Sequence, residues 1–157
     1  MTEVSERRED PQNDLDSLPD RSRKNVSAVL IGAALIILAY WTLWAVHRSA
    51  VASSSTHSYV VFEDAFPAAD FLLVALMVLG AWSVITRRAT ALLWLLLGAG
   101  GGLYLFCMDV LYDLQHGVWG AGPNGLVELG INVLTLALSL FIGSWAWRHR
   151  QALLDGS

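Results

Sequence analysis

Four long apolar runs alternate with short polar segments along this chain. They cover 26–46, 68–85, 91–114 and 126–147, and each holds at least 18 residues. A bilayer core of ~30 Å takes about 20 residues of helix at 1.5 Å per residue. The pattern therefore predicts four crossing helices, over approximately 26–47, 67–86, 90–116 and 126–147. The fold class expected is all-α: an integral membrane four-helix bundle occupying 25–150, with lipid as its surroundings.

The segments between the runs carry turn signals. Glu63-Asp64-Ala65-Phe66-Pro67 reads as a helix start, with acids before the first turn and a proline that misses no N–H bond. Segment 59–62 is expected to rest on the bilayer surface. The short turn at 86–90 forces an antiparallel hairpin of the second and third helices. Gly117, Gly120, Gly122, Pro123 and Gly125 mark a loop before the fourth. Residues 1–24 are polar and mixed in charge, with Pro11 and Pro19, and read as a disordered tail; 151–157 reads as a second, short tail. The first run is too long, and its leading segment too acidic, for a cleaved signal peptide.

Composition agrees with the pattern. The chain of 157 residues is 55% hydrophobic and 15% charged, with a formal net charge of -4. The charges are unevenly placed. Arg21, Arg23, Lys24, Arg87, Arg88, Arg148 and Arg150 fall on one side of a four-pass arrangement, and Arg48 alone falls on the other. The positive-inside rule then puts both termini in the cytoplasm, with a plasma (inner) membrane as the location expected. No basic run suits nucleic acid. The single cysteine, Cys107, excludes an internal disulfide, a paired-cysteine redox centre and a multi-thiolate metal site.

The chemistry lies at the other side. Gly98, Gly102, Leu105, Asp109, Asp113 and His116 share one face of the third helix, with Tyr112 at its edge. The glycines admit a close neighbour. A carboxylate in hydrocarbon costs roughly 2.5–3.5 kcal/mol on insertion scales, so such groups face a bundle interior or a water-filled cavity. On the fourth helix Glu128, Asn132, Thr135 and Ser139 form a stripe; on the second, Asp70 begins one; on the first, Tyr40, Trp44 and His47 share a face. Counted from the helix ends, Asp109 and Asn132 sit at similar depth, roughly 10 Å.

Six carboxylates on that half (Glu63, Asp64, Asp70, Asp109, Asp113 and Glu128) stand against one arginine. Such a cluster must take up protons, hold a cation or stay hydrated. The expected site is an outward-open polar pocket formed by Asp70, Asp109, Tyr112, Asp113, His116, Glu128 and Asn132. It would bind a cation, a proton or a cationic small molecule, as in a proton-coupled transporter working as a homo-oligomer. Asp109, Asp113, His116 and Glu128 are also a candidate ligand set for a divalent metal cofactor. For Glu63, Asp64 and Glu128 the ordinary role of acids near helix N-termini is the competing explanation. Two alternatives belong to other classes. One is a non-catalytic scaffold docking a membrane protein partner. The other is an intramembrane enzyme, acid/base or metal-dependent, working through Asp109 or Asp113 with His116.

Overall fold

The computed structural model describes residues 18–52, 55–120 and 122–155. Their elements are α1 (Asp20–Val51), α2 (His57–Glu63), α3 (Pro67–Ile85), α4 (Ala91–His116), a 3-10 turn (Val118–Gly120), α5 (Pro123–Arg148) and α6 (Arg150–Leu154). Four spans, Asp20–Val51, His57–Ile85, Ala91–His116 and Pro123–Arg148, are long and apolar enough to cross a membrane. The second includes both α2 and α3. The expected all-helical bundle is present, and among the described residues no strand interrupts it.

Packing follows chain order. α1 lies on α3, α3 on α4 and α4 on α5, but α1 and α5 do not pack along each other to close the ring. The apolar core sits toward the end of the bundle that carries the arginines. Val26, Leu30 and Ala34 step along α1 at intervals of four and meet Leu73, Met77, Ala81 and Val84 of α3. Leu95 and Ala99 of α4 and Ile142 and Ala146 of α5 complete this core. Those spacings place one side chain per turn on a single face.

The tails are shorter than expected. Residues 20–24 belong to α1, which starts just after Pro19. Arg23 of this first turn is buried, and its guanidinium donates to Leu18 O (3.3 Å) and Val84 O (3.4 Å). Val84 lies in the last turn of α3, where carbonyls lack helical partners and favour a cation. Residues 1–17 lie outside the described residues. At the other terminus 150–154 form α6, whose Leu153 is buried in the core; 156–157 lie outside the described residues.

The 86–90 hairpin is as tight as expected: Arg88 N donates to Ser83 O at 2.9 Å, and Arg87 takes a left-handed φ of 54°. Gly117 ends α4 with φ 65°, a conformation that costs a Cβ-bearing residue free energy, and its N–H bonds Asp113 O. The glycine pair of α4 meets two different neighbours. A Cβ on Gly102 would collide with Ser139 Oγ of α5, whereas one on Gly98 would make ordinary contact with Leu76 of α3 at 3.7 Å.

Candidate functional site: an acidic cavity between the helices

At the opposite end, where Arg48 is the one arginine among the described residues, packing gives way to polar and aromatic side chains. Segment 59–62, expected as a surface stretch, lies within α2. Tyr59 and Glu63 are four apart and share its inward face; they are 1% and 5% exposed. The Tyr59 ring lies 6.3 Å from Trp44 of α1 and 6.3 Å from Tyr112 of α4, and its hydroxyl donates to Glu128 Oε2 at 3.4 Å. Through Tyr59, α2 thus reaches α1, α4 and α5.

Beneath α2 is a cavity of about 420 Å³. Tyr40 and Trp41 of α1, Glu63 of α2, Asp109 of α4 and Glu128 and Asn132 of α5 line its upper part. Asp70 lines it from α3. Its lower part is apolar, with Leu73, Met77, Leu105 and Leu138 in the wall. One carboxylate oxygen from each of Glu63, Asp109 and Glu128 lies within 4.8 Å of the others. Tyr40 donates its hydroxyl to Glu63 Oε2 at 3.4 Å. Asp109 accepts no hydrogen bond from the described residues.

The other acids of this end are held by indoles. Trp41 Nε1 donates to Asp70 Oδ2 at 2.7 Å, and Trp44 Nε1 to Asp64 Oδ1 at 3.0 Å. Trp119 Nε1 donates to Asp113 Oδ2 at 2.8 Å, an oxygen that also accepts from Asn132 Nδ2 at 2.7 Å. Arg48 bonds Asp64 at 3.1 Å. The cluster of Glu63, Asp109 and Glu128 therefore concentrates negative charge in a partly desolvated space. Three carboxylates this close repel one another when ionised, and a shared proton or a bound cation would relieve that repulsion.

The predicted site residues separate into two groups. Asp70, Asp109, Glu128 and Asn132 do line the cavity. Asp113 does not; it is 1% exposed and bridges α4 to α5 through Asn132. Tyr112 and His116 stack on each other at 4.0 Å, with Phe62 on the far face of Tyr112 at 3.8 Å. His116 is exposed, and its Nδ1 lies 2.9 Å from Tyr112 O. The ligand set of Asp109, Asp113, His116 and Glu128 is not the group that converges. Among the described residues, those grouped closely enough to hold a metal are Glu63, Asp109 and Glu128, an all-oxygen set suited to a hard cation.

Glu63 is the cavity acid that the sequence pattern does not place among the site residues. Its place before Pro67 suggests a capping acid, but α2 and α3 are separate helices and the break at 64–66 turns Glu63 inward. The signal lay in the i, i+4 pair of Tyr59 and Glu63. Comparison with known protein families, curated proteins and solved structures finds no match to this chain.

Proposed function

We propose that this is a membrane protein that binds a cation in the cavity beneath α2. The convergence of Glu63, Asp109 and Glu128 within 4.8 Å carries the reading. A bound positive charge, or a proton exchanged against it, offsets a repulsion that neutral hydrogen-bond donors alone do not cancel. The distribution of arginines supports an orientation with both termini cytoplasmic and the acidic end outward, in the plasma membrane. Proton-coupled transport of the bound cation by an oligomer is the activity that best uses such a site, since a bundle this narrow gains a path from a second copy.

Thermal unfolding of the purified chain tests the binding. Wild type is compared with Glu63→Gln, Asp109→Asn and Glu128→Gln in calcium, manganese and tetramethylammonium. A ligand at a hundredfold excess over its Kd adds about 2.7 kcal/mol, or several degrees of Tm in a chain of this size. The expected result is a rise in wild type that the three variants lose. If no cation moves wild type and the variants are equally stable or more so, the cluster is only a structural feature and the reading fails.

A further inference from the structure

The way into the cavity is set by what covers it and what does not. At its polar end Glu63 of α2 lines it, and Tyr59 and Glu63 are both buried against the bundle. Its side is unroofed, because α1 and α5 line it from opposite edges without packing along each other. Ile36 of α1 and Leu134 of α5 belong to its wall and are nevertheless 63% and 57% exposed. Gly32 lies on the same edge of α1, and a Cβ there would touch nothing within 4 Å. An opening rimmed by apolar side chains on helices that cross a bilayer faces acyl chains, not water.

The interior is graded along its length. Carboxylates and the aromatic rings of Tyr40, Trp41 and Phe66 gather at the α2 end. From Tyr40 down to Val29, and from Glu128 down to Ser139, the lining spans twelve residues, or about 16 Å of helix. Aliphatic side chains dominate that length. At its foot Ser139 is 6% exposed, and its hydroxyl makes no hydrogen bond with the described residues. Among the described residues no fully buried side-chain oxygen or nitrogen is left without a partner, so this hydroxyl opens onto the cavity.

We propose that the ligand is an amphiphilic organic cation, an ammonium-type head on an apolar tail, admitted sideways from the bilayer between α1 and α5. This rests on the cation reading above and narrows it. The head lies among Glu63, Asp109 and Glu128 and against the aromatic faces, which suit a weakly hydrated cation. The tail lies along the aliphatic channel. A small hydrated metal ion would use the carboxylates but leave the channel and the lateral opening without a role.

The test uses the full chain in lipid nanodiscs with decyltrimethylammonium, tetramethylammonium, manganese and decanol as probes. Binding is measured on wild type, Asp109→Asn and Gly32→Trp, the last placing an indole in the opening. Partition into the bilayer raises the local decyltrimethylammonium concentration equally for every variant, so differences between variants report the groove. Decyltrimethylammonium is expected to bind wild type most tightly, to lose roughly tenfold or more in affinity with Asp109→Asn and with Gly32→Trp, and to be unaffected by decanol. Should Gly32→Trp fail to fold, Leu134→Trp on the opposite rim replaces it.

If folded Gly32→Trp binds decyltrimethylammonium as fast and as tightly as wild type, lateral admission is overturned. If manganese or tetramethylammonium binds as tightly as decyltrimethylammonium, the amphiphile is overturned while the cation reading stands. If decanol competes equally, or if no cation binds, both fall.

Discussion

Asn132 donates to Asp113 across the α4–α5 contact at 2.7 Å, and both side chains are buried. Counting from helix ends puts Asn132 level with Asp109 instead. The difference comes from the direction in which helical side chains lean, toward the N-terminus of their own helix. α4 and α5 are antiparallel neighbours, so Asp113 leans into the bundle and Asn132 leans out to meet it. Asp109 is left to the cavity.

This pairing separates a structural acid, Asp113, from the acids that line the cavity. Asn132→Ala and Trp119→Phe each remove one of the two side-chain donors to the same buried oxygen. Each should cost about 1–3 kcal/mol in thermal or denaturant unfolding, and the double variant should exceed the sum, because the carboxylate then has neither donor. Cation affinity of folded Trp119→Phe should match wild type. A fall in affinity as large as that of Asp109→Asn would return Asp113 to the binding site.

The indole–carboxylate pairs at α1 invite a similar cycle. Trp41→Phe keeps the ring in the aromatic cluster with Tyr40 and Trp44 but removes the donor 2.7 Å from Asp70. The loss should be about 1–3 kcal/mol, and adding Asp70→Leu should recover most of it, since replacing both partners by apolar groups leaves nothing unsatisfied. A double variant as unstable as Trp41→Phe alone would show that the indole acts by packing and not through Asp70.

How legible was all this in the sequence? The spans, the 86–90 hairpin and the Gly117 stop are written in short-range pattern: apolar run length, loop length and one residue able to take a positive φ. The polar faces of α4 and α5 were also visible, because Asp109, Asp113, Glu128 and Asn132 recur at helical spacing in otherwise apolar runs. The site was less so. Glu63 and Asp64 are adjacent acids before a proline, yet one turns into the cavity and the other reaches Arg48 at the surface. That division depends on where the chain breaks between α2 and α3. The unclosed α1–α5 edge is likewise a property of pairwise packing that no single helix encodes.

Two glycines of α5 test packing against intrinsic helix preference. A Cβ on Gly125 would run into the Val118 carbonyl oxygen and lie 3.0 Å from Trp119 Cα, so backbone would have to move. One on Gly130 would meet nothing within 4 Å. Gly125→Ala should therefore destabilise the fold by about 1–3 kcal/mol. Gly130→Ala should stabilise it by about 0.5–1 kcal/mol through reduced backbone entropy in the unfolded chain. Unfolding midpoints measured side by side check the opposite signs; two equal shifts would mean that the 3-10 turn does not press on α5.

Orientation decides from which leaflet the cavity is reached. The arginines of the 86–90 turn and of 148–150 stand at one end; Gly117, the 3-10 turn and Gly122 stand at the other. With the positive-inside rule deciding the insertion, a cysteine placed at Gly120 should react with a membrane-impermeant maleimide on intact cells, and one placed at Thr86 only after the membrane is opened. Cys107 is exposed on α4 and would be changed to Ala first, so that the signal comes from the loops alone. Gly120 suits the label because a Cβ there meets nothing within 4 Å. The reverse labelling pattern would turn the acidic end toward the cytoplasm. The cavity, its lateral opening and its chemistry would survive that result, but the cation would then be drawn from the inner leaflet, and any proton-coupled movement would start from the other side.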